Sequence, residues 1–328
     1  MKRGLALWAG LSVLASPLFF VIDRLSVFGT VPRDDYAPFL LWLVGQGGGV
    51  PDSPYCYRVL SMVLAAPFYY ALPAIPLTNT PPGLSPEWLR ATAALSMLAT
   101  LSWLLAAILA GTAARRAGLD QIGAAIAGII VFACGAYTQV TAIDPVALAF
   151  IAGGTVLLDR PRAFAGLMAA SVLVNEKVAL VLAIWLVIRC ATSRADRAAL
   201  GWQAMAAAGA VLAYAAVVAL VHLPGNPYQT EPGHIPQTLR DNLVAYGSAR
   251  GLVLNVLPAG VALALVLIGR PVGVFARRDG LIVPALLGVA LVLTQFFQAG
   301  RIVMHAAPVL AVPAAAGVAA WLRGATPD

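Results

Sequence analysis

Charged side chains are scarce in this sequence. Lys, Arg, Asp and Glu together make up 11% of its 328 residues, whereas a soluble domain carries about 25%. Hydrophobic residues account for 61%, and the mean hydropathy is +0.86. A folded core of this size cannot enclose so much apolar surface, so lipid must be the solvent for most of it. The composition therefore excludes a soluble enzyme, a secreted disulfide scaffold and a disordered tail.

Cysteines are few as well, and the short motifs of common enzyme classes are absent. The three cysteines lie far apart without CxxC spacing, which does not favour a disulfide or zinc framework. No HExxH, GxSxG, Walker A or Rossmann pattern stands in a convincing context. The net charge of +7 is carried by Arg residues at the ends of apolar runs, which is typical of membrane topology and not of nucleic-acid binding.

Eight apolar runs predict membrane-spanning helices, since about 20 apolar residues cross a bilayer. They cover residues 5–22, 88–114, 121–137, 141–158, 200–222, 252–269, 281–297 and 302–322. We interpret the first as a retained helix, because no convincing signal-peptide cleavage site follows it.

Two further apolar regions are ambiguous. Residues 57–77 are interrupted by three prolines and are either a span or a broken helix at the outer face. Residues 163–188 carry Asn175-Glu176-Lys177 at their middle and form either one span or a hairpin of two half-length helices. The positive-inside rule favours the non-spanning helix and the hairpin, because thirteen of the 21 cations then face the cytoplasm with only five of the 14 acids.

These choices predict an all-α polytopic membrane protein with about ten membrane segments. The whole chain, 1–328, is a single transmembrane domain in the inner or plasma membrane, and both termini are cytoplasmic. Two extracytoplasmic loops remain, 23–87 with interfacial helices and 223–250. Any chemistry would occur at the outer membrane surface.

The first loop supplies two candidates. Asp34-Asp35 precede an amphipathic stretch, 36–44, that could lie in the interface. Two adjacent carboxylates can hold a divalent cation or provide a general base, but a solvated turn gives the same pattern. Arg58 begins the non-spanning helix, where it either snorkels to headgroups or binds a lipid phosphate.

Other candidates lie at the outer ends of later segments. Asp144 is either the N-cap of a helix or part of a site shared with the first loop. Glu176 and Lys177 are the strongest signal, because ionisable groups at membrane depth are costly and pair or serve a site. The alternative is a Glu–Lys pair that only staples the hairpin. Arg301 and His305 share one helical face, where Arg301 binds a phosphate or merely contacts headgroups.

In this order, the features resemble the GT-C class of polytopic glycosyltransferases. Asp34-Asp35 match the acidic motif that this class carries in its first outer loop, and the segments 36–44 and 57–72 match its membrane-parallel helices. Asp144 matches an acid in the next outer loop, and Glu176-Lys177 match a charged hairpin tip. The resemblance covers roughly residues 1–200, with Arg301 as a looser match. The chain is shorter than most members and has DD in place of DxD.

The resemblance implies inverting transfer of a sugar from a polyprenyl-phosphate donor to a lipid or glycan acceptor on the extracytoplasmic face. Asp34, or less favourably Asp35, would be the general base, while Arg58, Lys177 and Arg301 would stabilise the leaving phosphate. It leaves open a divalent cation, magnesium or manganese, with Asp34, Asp35 and Asp144 as candidate ligands. Membrane lipids are expected partners.

Two alternatives stand beside the glycosyltransferase. In a transporter or lipid flippase, Glu176-Lys177 would line a translocation path and Asp34-Asp35 would be a gate. Paired halves with matching helix interruptions are typical of transporters, and this sequence shows one clear interruption without a counterpart. A non-catalytic assembly subunit of a membrane complex is the second alternative.

Overall fold

The computed structural model describes residues 36–49, 58–72, 85–135, 143–220, 235–248, 256–269, 278–293 and 299–323. Within these ranges every regular element is a helix, as the apolar runs predict. The helices are α1 Ala37–Leu43, α2 Val59–Ala71, α3 Pro86–Arg116, α4 Gln121–Gly135, α5 Asp144–Val156, α6 Pro161–Ser171, α7 Glu176–Thr192, α8 Arg194–Leu220, α9 Ile235–Tyr246, α10 Leu257–Gly269, α11 Ile282–Leu293, α12 Ala299–Met304 and α13 Ala307–Leu322. The predicted first span lies outside the described residues.

Two of the described helices, Pro86–Arg116 and Arg194–Ala219, are long and apolar enough to cross a membrane. Six other apolar helices have 10–17 residues, which is shorter than the roughly 20 residues of a full span. The count of ten segments therefore stays a prediction. One face of α3 exposes Met97, Leu101 and Leu105, as a lipid-facing helix does.

Helix α3 packs against α4 and α5. Its contact surface is built from alanines, with Ala106, Ala110 and Ala114 fully buried. Small side chains let helix backbones approach closely, which is the main packing device where lipid removes the hydrophobic drive for association. The short helix α1 is largely buried against α2 and α3, with Trp42 as its exposed side chain.

The predicted interruption at the middle of 163–188 is confirmed. Helix α6 ends at Ser171, and α7 begins at Glu176 after a short turn. Asn175 has an extended backbone, and its side-chain oxygen accepts a hydrogen bond from the Lys177 amide at 3.0 Å. This is an N-cap, and it fixes Glu176 and Lys177 in the first turn of α7.

Three features of the helices differ from the sequence prediction. The run 302–322 is not one helix, because Pro308 lacks the N–H that would bond to the Met304 carbonyl, and the chain turns between α12 and α13. Arg301 and His305 therefore do not share one continuous helix. Helix α8 begins at Arg194, six residues before the predicted start, and α9 lies in the second loop, where only loop was predicted.

The candidate site residues lie at one end of the bundle and a set of Arg–Asp pairs at the other. Asp144 begins α5, whereas Asp159, just beyond the other end of this helix, pairs with Arg116 at 3.1 Å. Arg301 precedes α13, whereas Arg323, which follows it, pairs with Asp120 at 3.1 Å. We call the end with Asp144 and Arg301 the acidic-loop end, because Tyr36, the residue after Asp34-Asp35, lies there. We call the end with the Arg116–Asp159 and Arg323–Asp120 pairs the arginine end.

Candidate functional site

Five predicted site residues form two groups of ion pairs at the acidic-loop end, joined through the adjacent residues Glu176 and Lys177, and we call the two groups together the network. The residues come from four segments of the chain: Arg58 before α2, Asp144 at the start of α5, Glu176 and Lys177 at the start of α7, and Arg301 in α12. In the sequence, these polar residues stand where apolar runs begin, end or are interrupted. In the structure, those positions lie close together at one end of the bundle.

Asp144 is the centre of one half of the network. Its side chain is 0% exposed, and both carboxylate oxygens accept hydrogen bonds from Arg301, with Nη2 at 2.9 Å from Oδ1 and Nε bonded to Oδ2. The Lys177 ammonium lies 3.0 Å from Oδ1. Because a buried carboxylate with two cationic partners is held ionised and enclosed, Asp144 anchors the two cations and is not positioned as a base.

Arg58 forms the other half of the network. Its Nε lies 3.1 Å from Glu176 Oε2, its Nη2 bonds to Oε1, and its Nη1 donates to the Tyr36 hydroxyl. Burial lowers the pKa of Arg58, but the Glu176 carboxylate together with Tyr36 and Tyr214 outweighs this effect and holds the pKa well above its usual value. Burial raises the pKa of Tyr36 to about 12 against the opposing influence of Arg58, so the phenol stays neutral at physiological pH.

These contacts decide between several of the alternatives left open by the sequence. Asp144 is not an N-cap, since Ile143 holds that position and no side chain caps the helix. Glu176 and Lys177 do not staple the hairpin to itself, because one binds Arg58 and the other Asp144. Arg58 is 4% exposed and does not snorkel.

His305 and Asn175 place further polar atoms in the same region. The imidazole Nδ1 of His305 donates to the Arg301 carbonyl at 2.7 Å, because a carbonyl can only accept. Its Nε2 lies 3.6 Å from Asp144 Oδ1, beyond hydrogen-bond distance. Among the described residues, neither this nitrogen nor the Asn175 Nδ2 atom has a hydrogen-bond partner, and both side chains are fully buried.

The proposed catalytic pair, Asp34 and Asp35, lies outside the described residues. Tyr36, which follows them directly, is 2% exposed and bonded to Arg58. Sequence reasoning assigned Tyr36 only to an interfacial helix and missed its place in the network. Its position next to an acidic pair was the signal that could have found it.

The network has more positive than negative charge. Three cations, Arg58, Lys177 and Arg301, face two carboxylates among the described residues, and Glu176, at 27% side-chain exposure, is the more accessible acid. The described residues form no group of three or more His, Cys, Asp or Glu side chains that could hold a metal. The arrangement can bind an oxyanion that competes with Glu176 for Arg58.

Comparisons with family models, curated proteins and solved structures found no match to this chain.

Proposed function

We propose that this protein is a membrane glycosyltransferase that moves a sugar from a polyprenyl-phosphate donor to an acceptor hydroxyl. The observation that supports this most is the buried network of Arg58, Lys177 and Arg301, whose Arg58 contacts Tyr36, the residue directly after Asp34-Asp35. Arg guanidinium and Lys ammonium groups that are held in fixed positions can bind a phosphate. Transfer to a hydroxyl also requires a general base beside them, and a carboxylate can serve as that base.

In the proposed reaction, an Asp34 carboxylate accepts the proton of the acceptor hydroxyl while its oxygen forms a bond to the anomeric carbon. The bond between that carbon and the phosphate oxygen breaks, and polyprenyl phosphate leaves with the electron pair. The configuration at the anomeric carbon is inverted. Arg58, Lys177 and Arg301 stabilise the charge that develops on the leaving phosphate.

Membrane embedding follows from the donor. A polyprenyl chain stays in the hydrocarbon layer, so the network must lie near the bilayer surface for the phosphate to reach it. We place the acidic-loop end on the extracytoplasmic side and the arginine end, with Arg116 and Arg323, on the cytoplasmic side, which corresponds to a multi-pass inner or plasma membrane protein. The two long apolar helices support a membrane location.

The first test is transfer by the purified protein supplied with a panel of undecaprenyl-phosphate-linked hexoses and with a membrane-lipid extract that provides the acceptor hydroxyl, read as release of undecaprenyl phosphate. We expect release with at least one donor and its loss in Asp34→Asn, with thermal stability unchanged. Asp159→Asn is the control, because this carboxylate is exposed and lies at the other end of the bundle. Release unaffected by Asp34→Asn would remove the proposed base.

A second measurement separates transfer from transport. The same donors, with a fluorescent label, are added to vesicles that contain the protein, and movement between leaflets is followed. Movement of intact donor without release of undecaprenyl phosphate would contradict the transferase and favour the flippase.

A further inference from the structure

A second polar feature lies in the interior, at the arginine end of the bundle. A cavity of about 390 Å³ opens between α3, α5, α7 and α13, and its walls are mainly alanine, leucine, valine and proline side chains. On α5, the lining residue Thr155 lies about 16 Å from Asp144 at 1.5 Å per residue. The cavity is therefore distinct from the ion-pair network, and nothing in the proposed sugar transfer uses it.

One acid lines this apolar cavity. Asp279 is 5% exposed, and its Oδ1 accepts a hydrogen bond from the Trp185 indole N–H at 2.7 Å. Asp279 has no salt bridge to any of the described residues, in contrast to Asp144 with its two cations. Arg189 also lines the cavity, with its guanidinium 5.3 Å from the centre of the Trp185 ring, and its charge is paired with Asp196.

An acid in this position is costly to the folded protein unless something compensates its charge. A single neutral hydrogen bond does not offset the desolvation of a carboxylate. Burial raises the pKa of Asp279, and neither Arg189 nor the Trp185 hydrogen bond cancels that effect. A ligand that brings its own positive charge into the cavity would supply a partner that the described residues do not provide.

We propose that this cavity binds a primary ammonium group carried by an apolar chain, with Asp279 as the counter-ion and the aliphatic walls as the site for the chain. A volume of about 390 Å³ lies in the range of about 300–1,000 Å³ found for small-molecule sites. The ammonium has three donors, which suit the carboxylate lone pairs that Trp185 leaves open. An ethanolamine phospholipid and a free long-chain amine both carry this chemistry.

The test is native mass spectrometry of the full-length protein in detergent. Phosphatidylethanolamine and phosphatidylcholine with identical acyl chains are compared, together with dodecylamine. We expect retention of phosphatidylethanolamine over phosphatidylcholine if the source is a lipid headgroup. Retention of dodecylamine without phosphatidylethanolamine assigns the site to free amines. The proposal is overturned if the two phospholipids are retained equally while dodecylamine is not retained, or if no probe is retained.

Two variants locate the binding. Asp279→Asn keeps the side-chain volume and removes the charge, and we expect it to weaken retention about tenfold or more, because truncating one partner of a buried charge pair costs at least that much. Asp159→Asn, an exposed acid at the same end, should leave retention unchanged. Unaltered retention in Asp279→Asn overturns the assignment of the counter-ion.

A steric variant gives an independent check. Ala316 lines the cavity on α13, whereas Ala320, one turn further on, does not. Ala316→Leu fills the space with Asp279 intact, so retention should fall, and Ala320→Leu should retain the probe as the unmodified protein does. Equal binding by the two leucine variants would show that the probe binds elsewhere and would overturn the proposal.

Discussion

Asp144 and Arg301 lie 157 positions apart in the sequence and are joined by two parallel hydrogen bonds at the start of α5 and in α12. The fork of the guanidinium matches the two carboxylate oxygens, so the pair fixes both the distance and the orientation of the two helices. Lys177 completes the arrangement from a third helix. The centre of the candidate site is thus also a tertiary clamp.

This clamp predicts a strong effect of removing its anion. Asp144→Ala leaves the buried Lys177 and the largely buried Arg301 without their counter-ion, and we expect a loss of about 3–5 kcal/mol of stability. The measurement is unfolding of the purified protein in detergent. Arg323→Ala is the control, because its pair with Asp120 is largely exposed and such pairs contribute about 0–1 kcal/mol. Equal losses in the two variants would contradict the central role of Asp144.

Competition between Glu176 and a bound phosphate gives the second prediction. Glu176→Gln releases Arg58 from its carboxylate partner, so we expect tighter binding of undecaprenyl phosphate, measured with the radiolabelled lipid in detergent. Arg58→Gln should weaken the same binding about tenfold or more, since charged hydrogen bonds contribute about 1.5–3 kcal/mol.

Glu87→Gln provides the matched control, because Glu87 is exposed in the first turn of α3. Its affinity for undecaprenyl phosphate should equal that of the unmodified protein. Weaker binding in Glu176→Gln would mean that this carboxylate positions Arg58 for the phosphate and does not compete with it.

Two glycines give a prediction of opposite sign. At Gly135, a methyl group would overlap the Trp103 ring, whereas at Gly166 nothing lies within 4 Å of the position that a methyl group would occupy. We expect Gly135→Ala to destabilise the protein by about 1–3 kcal/mol through overpacking. Gly166→Ala should stabilise α6 by about 0.5–1 kcal/mol, because alanine favours a helix. Thermal unfolding of both variants tests the packing of α4 on α3, and equal shifts would contradict it.

The sequence predicts most helices and most of the site because both depend on local patterns. A broken apolar run identified the turn before Glu176, and charged residues in apolar surroundings identified Arg58, Asp144, Lys177 and Arg301. The features that the sequence did not predict depend on tertiary contacts. Helix α9 has the buried Asn242, whose side chain donates to the Leu291 carbonyl at 2.8 Å, and such a docking contact leaves no local pattern in the sequence. Glu176 pairs with Arg58 and not with its neighbour Lys177, and this choice of partner also depends on the tertiary fold.

The buried acid at the arginine end gives a prediction about pH. Burial raises the pKa of Asp279 in the folded protein, opposed by Arg189 and Trp185 and assisted by Asp196, with Arg278 as a further cationic neighbour. A raised folded-state pKa means that the contribution of this group to stability is fully present below the unfolded pKa of 3.8 and is lost as pH rises through the folded-state pKa.

We therefore expect the stability of the unmodified protein to fall, relative to Asp279→Asn, as pH rises from about 4. The measurement is the unfolding temperature of both proteins across this range in the same detergent, without added amine. Asp159→Asn should follow the unmodified protein throughout, because that carboxylate is exposed. Parallel pH profiles for the unmodified protein and Asp279→Asn would show that water or another partner already compensates the charge, and a bound ammonium would then have no energetic reason to enter the cavity.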